Sequence, residues 1–535
     1  MSDAQHDGDY DVIVVGSGTG LIGAYAAASR GLSVLVLEKA DRLGGTTAHS
    51  GAGIWLPGNP AIDRAGLDDG AEVARPYLDE LIGDDAPEAL RAAYLDAGPV
   101  MIDELERNPR FQHFRWRGVP DYYPTAPGSF AEDRTIFPPR IERQELGDLE
   151  PLLRRPIWSE RFGAEPEERL VGGQALIARA MLALIETGNA TIRTGTGLDR
   201  LIVDDDGAVI GVVARTSAGE PRHFGARHGV LLSAGGYEHN AELRARHQAP
   251  VGNEWTQGAP GNTGDALAAA IDIGAGTALL DEAWFAPGVV VPDGPPVFYT
   301  MVWSGIWVNA AGERFMNERL PYDQAGHAIL AAHRSSEASH IPTHWVFDQR
   351  QIDNPGAFAQ LPVEPQIDGW FGIDEWMAAG VLERADSLAE LAEQIGVPAE
   401  SLHETVERFN EFARHGVDED FHRGETPWDL LIEQVMGAHR DGDNPCLGVI
   451  DQAPFYAVRV VPTDLGTKGG ITTDDHARAL REDGSVIPGL YASGNTMAPM
   501  SGRVYPGAGV PVGSGMVFAY LAALDMVGES IGGGA

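Results

Sequence analysis

The sequence predicts an α/β fold, because the apolar runs near its start follow the order strand, helix, strand. A β-branched run at residues 10–15 ends in a glycine-rich turn, an alanine-rich stretch continues to about residue 30, and a second apolar run follows at residues 33–37. Residues 230–232 form another apolar run of this kind. Short runs without polar alternation are typical of strands buried on both faces of a parallel sheet.

The glycine-rich turn has the pattern of a dinucleotide-binding fingerprint. Gly16, Gly18 and Gly20 follow the first strand and open the helix, and Leu21 stands where the strict pattern has its third glycine. Glu38 ends the second strand, where such folds place an acid that accepts hydrogen bonds from a ribose. We therefore predict a Rossmann-type unit in which backbone N–H groups and the helix N-terminus bind a pyrophosphate.

Composition excludes several kinds of partner. The chain has 535 residues, 43% hydrophobic content and a formal net charge of −39, so it can bury large cores and would repel nucleic acid and anionic lipid. Its one cysteine, Cys446, excludes an internal disulfide and suits a reducing compartment. The first residues, MSDAQHDGDY, lack the basic and apolar regions of a signal peptide, so we expect a cytoplasmic protein. No histidine has a metal-ligand spacing, and we predict no metal site.

One stretch resembles a membrane span by composition. Residues 504–524 carry no charged side chain and approach the length that a spanning helix needs. Pro506, Pro511 and several glycines in the first half of the stretch argue against a span. We predict a glycine-rich loop that leads into a short buried helix from about Ser514, and no transmembrane segment.

Three further segments indicate which dinucleotide is bound. Residues 44–53 (GGTTAHSGAG) form a second small-residue loop after the ribose acid, residues 230–236 (VLLSAGG) end in an Ala-Gly-Gly turn, and residues 489–495 (GLYASGN) come late in the chain. These segments resemble, in the same order, the flavin-binding segments of the fumarate reductase and succinate dehydrogenase superfamily. The resemblance implies FAD as the cofactor. It also implies noncovalent binding, because Thr46 stands where succinate dehydrogenases carry the histidine bonded to FAD.

This resemblance implies a Rossmann-type FAD-binding domain that is split by an inserted α+β catalytic domain. We place the two parts of the FAD-binding domain at residues 1–284 and 453–535, and the catalytic domain at residues 285–452. The implied cofactor-binding residues are Gly16, Ser17, Gly18, Thr19, Gly20, Glu38, Lys39, Gly44, Gly45, Thr46, Thr47, Ser50, Gly51, Ala52, Gly53, Ala234, Gly235, Gly236, Asn262, Asp265, Gly494, Asn495, Gly509, Pro511 and Val512.

Six longer segments resemble one bacterial family more closely, and together they span nearly the whole chain. They are residues 44–57 (GGTTAHSGAGIWLP), 120–124 (PDYYP), 258–265 (GAPGNTGD), 317–326 (NERLPYDQAG), 464–470 (DLGTKGG) and 493–513 (SGNTMAPMSGRVYPGAGVPVG). The family is that of the 3-ketosteroid Δ1-dehydrogenases, or 3-oxosteroid 1-dehydrogenases, which are FAD enzymes of sterol catabolism. The resemblance implies an oxidoreductase that acts on a CH–CH bond of steroid ring A.

The resemblance also implies four catalytic groups. Tyr322 matches the general base, and Tyr122 matches a tyrosine that hydrogen bonds to it, with the adjacent Tyr123 as an alternative. Tyr505 and the backbone N–H of Gly509 match two donors to the C3 carbonyl oxygen. These residue types suit the chemistry, since a polarised ketone acidifies the C2 proton and C1 can then pass a hydride to flavin N5. A phenol has a pKa of about 10, so the base needs a neighbour that favours its anion.

Other interpretations of the motifs remain open. A 3-ketosteroid Δ4-(5α)-dehydrogenase or Δ4-reductase has the same fold and also uses tyrosines. A fumarate reductase-like enzyme would need arginine and histidine motifs that we do not find, and a noncatalytic flavin-binding protein would not need the tyrosines. We expect a 3-ketosteroid and an unidentified electron acceptor as partners, and interpret Arg314, Glu318 and Asp323 as solvated or helix-end charges.

Overall fold

A computed structural model describes residues 7–531, except residues 117, 133, 300, 301, 303, 355–371 and 437–443. The chain divides into a first unit of residues 1–250, 258–283 and 466–535 and a second unit of residues 251–257 and 284–465. The last boundary lies at residues 465 and 466 and not, as expected, at 452 and 453. The reason is that residues 455–460, the first part of a strand that continues to residue 467, pair with strands of the second unit.

The described residues contain helices and strands in the following order along the chain. The helices are α1 (Gly20–Ser29), α2 (Gly45–His49), α3 (Pro60–Ala65), α4 (Ala71–Ile82), α5 (Glu88–Glu106), α6 (Ile157–Phe162), α7 (Gly172–Glu186), α8 (Ala241–His247), α9 (Asp265–Ile271), α10 (Tyr322–Ser335), α11 (Gln349–Asp353), α12 (Ile373–Ala378), α13 (Leu388–Ile395), α14 (Ala399–His415), α15 (Pro427–Met436) and α16 (Val510–Val527). The strands are β1 (Gly8–Val15), β2 (Val34–Leu37), β3 (Ile54–Trp55), β4 (Arg115–Trp116), β5 (Thr135–Phe137), β6 (Ile141–Glu142), β7 (Arg169–Leu170), β8 (Ala190–Arg193), β9 (Thr196–Val203), β10 (Val209–Thr216), β11 (Pro221–Leu232), β12 (Thr277–Ala278), β13 (Ala283–Val290), β14 (Pro296–Phe298), β15 (Ile306–Val308), β16 (Thr343–Asp348), β17 (Leu382–Ala385), β18 (Phe455–Thr467), β19 (Gly470–Ile471), β20 (Arg478–Leu480) and β21 (Val486–Ala492).

The first unit is built on an eight-stranded sheet in which β20, β21, β11, β1, β2 and β8 lie side by side, while β10 pairs with β11 and β9. The central pairs are parallel, and residues 12–15 of β1 align with residues 34–37 of β2 and residues 229–232 of β11. Residues 490–492 of β21 lie parallel to β11 on the other side. The sheet therefore combines the start, the middle and the end of the chain.

Helix α16 lies in the core of this unit, against α1. A Cβ atom on Gly23 of α1 would lie 2.6 Å from the carbonyl oxygen of Ala519, so the two backbones are in close contact. Helix α16 begins at Val510, and the predicted start near Ser514 is wrong, because Pro511 occupies the first turn, where its missing N–H costs no hydrogen bond. Among the described residues, α16 is the one helix with the length and composition of a membrane span, and it is 72% buried, as expected for a core helix.

The second unit is built on another sheet, with the strand order β14, β13, β18, β16 and β15, in which β17 also pairs with β18. Helices α13 and α14 turn their apolar stripes toward it. Leu391, Leu402 and Phe409 of these helices pack with Ile306 and Val346 of the sheet in one buried cluster. This unit is therefore an α+β unit with a core of its own.

Replacement of Gly23 by valine tests the contact between α1 and α16. Because even the Cβ atom would lie 2.6 Å from a backbone oxygen, we expect Gly23→Val to lower the free energy of unfolding by about 1–3 kcal/mol, the usual cost of overpacking a core. Urea denaturation of the purified protein measures this change. Gly70→Ala is the control, since a Cβ there meets no atom within 4 Å. Equal losses in the two variants would show that the helix contact is not the cause.

Candidate active site

The N-termini of α1 and α16 in the first unit both lack a side-chain cap. Helix α1 begins after Thr19 and α16 begins after Gly509, and neither residue accepts a capping hydrogen bond on its side chain. The two helix starts are close, because a Cβ atom on Gly515 would lie 2.6 Å from Thr19 Oγ1. Uncapped N–H groups and the positive end of the helix dipole favour an anion. This end of the unit is therefore suited to bind phosphate groups.

The predicted ribose acid is held at the end of β2. Ser17 Oγ donates to Glu38 Oε2 at 2.5 Å and accepts from the N–H of Gly44 at 2.9 Å. The N–H of Ala40 donates to Glu38 Oε1 at 2.8 Å. The carboxylate therefore links the first glycine turn to the second small-residue loop. Lys39, the next residue, lies at an exposed position.

The ammonium group of Lys39 connects this region to the start of α9. Its Nζ donates to Thr263 Oγ1 and to Asp265 Oδ2, at 2.6 Å in both cases. Both Lys39 and Asp265 are more than one-third exposed. Their ion pair therefore orients the two residues more than it stabilises the fold.

The loops on the predicted flavin side are joined by a buried carboxylate that the sequence analysis missed. Asn262 Nδ2 donates to Glu238 Oε1 at 2.5 Å, and the N–H of Thr467 donates to Glu238 Oε2 at 3.2 Å. Thr46 Oγ1 accepts from the N–H of Ala259 and from Asn262 Nδ2, both at 2.9 Å. Glu238 follows the predicted Ala-Gly-Gly turn, but a single acid after a glycine pair is too common a pattern to be recognised in a sequence.

The glycines of this region fall into two groups. A Cβ atom on Gly45 or Gly51 would meet no atom within 4 Å. At Gly16 and Gly236, by contrast, a Cβ would lie 2.2 Å or less from an atom of the protein. Gly45 and Gly51 thus border open space, whereas the other two are required by the packing of the protein itself. The residues of this end fit FAD in their donors, their acid and their open space.

The remaining predicted cofactor residues lie on the same ends of the same elements. They are Gly18 and Gly20 at the start of α1, Gly44, Thr47, Ser50, Ala52 and Gly53 in and around α2, Ala234 and Gly235 after β11, Gly494 and Asn495 after β21, and Pro511 and Val512 in the first turn of α16. Ala52 has a φ of 48°, an uncommon value for a residue with a side chain, and the N–H of Ala52 is bound by Ser50 Oγ.

Two hydrogen-bond donors lie side by side in the loop before α16. The N–H of Gly509 donates a hydrogen bond to Tyr505 Oη at 3.2 Å, and Tyr505 is 3% exposed. Gly509 has a φ of 99°, and a Cβ there would lie 2.2 Å from the carbonyl group of Gly53, so this N–H direction requires glycine. A carbonyl oxygen placed about 2.8 Å from both atoms would accept from the Tyr505 hydroxyl and would share the Gly509 N–H with Tyr505 Oη.

Tyr122 lies beside this pair of donors. Its ring centroid is 5.3 Å from that of Tyr505 in an edge arrangement, and its N–H donates to the carbonyl oxygen of Pro506 at 3.0 Å. Tyr122 is 1% exposed, whereas Tyr123 is half-buried. The N–H of Tyr123 donates to Tyr77 Oη at 3.3 Å. The first unit therefore brings Tyr122 and Tyr505 of the predicted set into contact.

A buried ion-pair cluster lies under Tyr122. Arg134 contacts Asp69 at 2.8 Å and Asp121 at 2.6 Å, and all three side chains are at most 1% exposed. Trp55 Nε1 also donates to Asp121, at 2.7 Å. Burial raises the pKa of Asp121 to about 6, although Arg134 and Trp55 act in the opposite direction. Because this pKa is higher than in the unfolded chain, the contribution of Asp121 to stability falls as the pH rises from about 4 to about 6.

Tyr322 lies in the second unit, as the first residue of α10, and is half-buried. Its ring meets that of Phe298 edge to face, with centroids 5.1 Å apart. One turn later, a Cβ atom on Gly326 would lie 2.7 Å from the backbone nitrogen of Ala286 in β13. These contacts fix the start of α10 against the sheet of the second unit.

The charges that surround Tyr322 in the sequence are buried, so their interpretation as solvated charges is wrong. Glu318 contacts Arg314 at 2.8 Å and Arg423 at 3.1 Å. Burial favours the neutral acid, but the two guanidinium groups outweigh it and lower the pKa of Glu318. Asp323 lies at a helix end as expected, yet it is 1% exposed. Arg423, which is distant in sequence, completes the pairing that makes the burial of Glu318 tolerable, and a local motif does not reveal it.

One group of side chains among the described residues has the spacing of metal ligands. The ligand atoms of Asp474, Asp475 and His476 lie within 4.8 Å of one another. The group lies near the surface, and Asp474 is paired with Arg478 at 2.7 Å. Exposed acids often cluster in this way, and we assign no metal to the group.

Comparison with known proteins identifies the family. The sequence profile of the family described as FAD binding domain matches residues 11–512. The 3-oxosteroid 1-dehydrogenase of Mycolicibacterium smegmatis is 41% identical, over 97% of each chain. The chain belongs to the 3-oxosteroid 1-dehydrogenase family. This finding confirms the resemblance seen in the sequence, the split FAD-binding fold and FAD as the cofactor.

Two further relatives have informative names. The crystal structure of the 3-ketosteroid Δ1-dehydrogenase from Sterolibacterium denitrificans, in complex with 1,4-androstadiene-3,17-dione, matches this family member with a TM-score of 0.88 and 32% identity over 97% of this chain and 99% of that chain. The 4-oxocyclohexanecarboxylate 2-dehydrogenase of Sinomonas cyclohexanicum is 35% identical, over 98% of this chain and 94% of the relative. These two relatives are similarly identical to this chain, but one is named for a steroid ketone and the other for a ketone with a single ring.

Replacement of Glu38 tests the cofactor site. Glu38→Arg places a cation where we expect the ribose hydroxyls and removes the acceptor that Ser17 binds, so we expect the variant to retain less FAD after gel filtration than the unaltered protein. Glu220→Arg, at an exposed position in the hairpin between β10 and β11, is the control and should retain normal FAD. Acid denaturation should release unmodified FAD from all three proteins. Flavin that stays with the denatured chain would contradict noncovalent binding, and normal occupancy in Glu38→Arg would remove Glu38 from the site.

Proposed function

We propose that this family member removes hydrogen from C1 and C2 of a 3-ketosteroid with FAD as the oxidant. The pair formed by Tyr505 Oη and the Gly509 nitrogen, 3.2 Å apart, carries the proposal, because the hydroxyl and the N–H lie close enough to donate to one ketone oxygen. The names and identities of the relatives supply the choice of a steroid. We further propose a separate electron acceptor and cytoplasmic activity, and the single buried cysteine supports the second of these.

In this mechanism the donor pair acts on the C3 carbonyl. Tyr505 and Gly509 would each donate a hydrogen bond to the oxygen, and both bonds strengthen as negative charge develops on it. Burial of Tyr505 keeps water from competing for the same oxygen. Polarisation of this kind makes the adjacent C2 hydrogen acidic enough for a side chain to remove.

We assign the removal of the C2 proton to Tyr322. Its half-buried ring is held by Phe298 at the start of α10, and the positive end of this helix favours the anionic form of a phenol. We keep the assignment of Tyr122 as the hydrogen-bonding partner of Tyr322, with Tyr123 as the alternative. Bound FAD supplies the hydride acceptor for C1 at its N5 atom.

An alternative substrate and an alternative position of oxidation would both use the donor pair. A small ring ketone with a carboxylate is suggested by the name of the Sinomonas relative, and it would need a cation to bind the carboxylate. Oxidation between C4 and C5 would use the same polarised ketone but a base on the other side of C3. The combination of Tyr122, Tyr322, Tyr505 and Gly509 favours C1 and C2.

Product analysis tests the regiochemistry. With a 3-keto-4-ene steroid and an artificial electron acceptor, we expect the 1,4-dien-3-one, identified by NMR and mass spectrometry. A 5α-saturated 3-ketone and 4-oxocyclohexanecarboxylate are run in parallel. Conversion of the saturated ketone to a 4-ene alone would favour the Δ4 alternative, and turnover of the carboxylate alone would replace the steroid.

The substitution Tyr322→Phe tests the base. It removes only a hydroxyl group, so FAD and steroid should bind normally, while kcat should fall by roughly 10²- to 10⁴-fold, the range of a lost general base. Exchange of the C2 hydrogen with deuterated solvent should fall in parallel. Tyr456→Phe, whose hydroxyl binds Gln349 in the same unit at 2.7 Å, is the matched control and should remain active. Near-normal turnover in Tyr322→Phe would show that Tyr322 is a packing residue.

The substitution Tyr505→Phe tests the donor pair separately. Loss of one donor to the developing enolate should raise the activation free energy by about 3 kcal/mol, as for a deleted oxyanion donor, and affinity for the steroid should change less than kcat. Steady-state kinetics and binding titrations measure the two effects. If neither C2 exchange nor kcat changes, the assignment of Tyr505 is wrong.

A further inference from the structure

In the loop that carries the donor pair, residues 504–509, three alternate carbonyl groups are bound by side chains. The carbonyl oxygens of Val504, Pro506 and Ala508 each accept a hydrogen bond from a side chain outside the loop. These three side chains come from three different segments of the first unit. None of them belongs to the residue set that the sequence motifs assign to catalysis.

The donor to Val504 is an ammonium group. Lys468 Nζ donates to this carbonyl at 2.7 Å, and Lys468 is 1% exposed. It is one of only two lysines in a chain with a net charge of −39. The backbone N–H of Lys468 is bound by the carbonyl of Glu282 at 3.0 Å, which fixes the base of the side chain. A charged donor makes a stronger hydrogen bond than a neutral one. The peptide that enters Tyr505 is therefore held firmly.

The carbonyl of Pro506 has two donors. Tyr77 Oη, on α4, donates at 2.6 Å, and the backbone N–H of Tyr122 donates at 3.0 Å. Burial raises the pKa of Tyr77 well above its usual range, so its hydroxyl remains a donor at every physiological pH. The peptide unit between Pro506 and Gly507 is thus tied both to α4 and to the segment of Tyr122.

The third donor controls the N–H of Gly509 directly. Thr135 Oγ1, at the start of β5, donates to the carbonyl of Ala508 at 2.8 Å. This carbonyl and the N–H of Gly509 belong to one planar trans peptide unit and point in opposite directions. Fixing the oxygen on one side therefore aims the N–H on the other side.

We propose that Lys468, Tyr77 and Thr135 are positioning residues that preorganise the Tyr505 hydroxyl and the Gly509 N–H for a ketone oxygen. The proposal rests on the proposed function for the identity of that oxygen. The three residues touch the backbone of the loop and not the reacting atoms. Preorganised donors stabilise a transition state because they need no reorientation when charge develops.

The test uses FAD-loaded protein and the variants Tyr77→Phe, Thr135→Val and Lys468→Met. Each removes a donor and nearly preserves the shape of the side chain. Matched controls remove hydroxyls that bind elsewhere: Tyr520→Phe, whose hydroxyl donates to Glu104 at 2.6 Å, and Thr187→Val, whose hydroxyl donates to Leu184 at 2.7 Å. Lys468→Arg restores a cationic donor and should recover part of the loss, which also guards against a misfolded Lys468→Met.

The first measurement needs no substrate. Hydrogen–deuterium exchange of peptides covering residues 504–509 should be faster in the three variants than in the unaltered protein and the controls, because the loop loses one of its ties. The second measurement is the infrared C=O stretch of a 1,4-dien-3-one labelled with ¹⁸O at C3 and bound to the oxidised protein. Its downshift on binding should shrink in the variants, and kcat should fall about 10-fold with a smaller change in KM.

The outcomes separate the two proposals. If exchange, carbonyl frequency and kcat in the three variants equal those of the controls, the positioning role is wrong, even when the unaltered protein converts steroids. If the loop exchanges faster but the carbonyl frequency and kcat stay normal, the three residues are structural and the inference is also overturned. If the unaltered protein neither converts the steroid nor shifts its carbonyl frequency, the proposed function fails, and with it the inference.

Discussion

The close packing of α1 against α16 is the constraint on which the rest of the first unit depends. Gly23 lets the backbone of α1 approach Ala519, and Gly515 lets the start of α16 approach Thr19. As a result the N-termini of a helix from the start of the chain and a helix from its end lie at the same place. The proposed FAD site and the donor loop share this place, because Gly509 both ends the loop and is the N-cap residue of α16.

The polar cluster beneath the donor loop is costly to bury, and its charged groups are paired with one another. Arg134 is bound by two carboxylates, and Asp121 also accepts from Trp55, so the ion pairs satisfy one another. A hypothetical Cβ on Gly507 would lie 2.3 Å from Trp55 Nε1, so the loop rests directly on this cluster. A second buried ion-pair cluster lies in the second unit, where Glu318, four residues before the start of α10, contacts Arg314 and Arg423.

The sequence predicted the features that depend on residues close together in the chain. The strand–helix–strand unit, the acid Glu38 and the family motifs were recognisable because glycines and short apolar runs occur at fixed spacings, and the family comparison confirmed the cofactor. The start of α16 was placed too late because glycine and proline were interpreted as loop residues. Arg134, Tyr77 and Thr135 could not be found, since their partners lie elsewhere in the chain and each residue alone matches ordinary core or surface positions.

A crystal structure of the FAD-loaded protein with a bound 1,4-dien-3-one steroid tests the central claim most directly, because it shows both units and the ligand together. The account predicts the C3 oxygen within about 3.2 Å of both Tyr505 Oη and the Gly509 nitrogen, and Tyr322 Oη within about 3.5 Å of C2. A C3 oxygen bound by other groups, or a tyrosine other than Tyr322 next to C2, would contradict it.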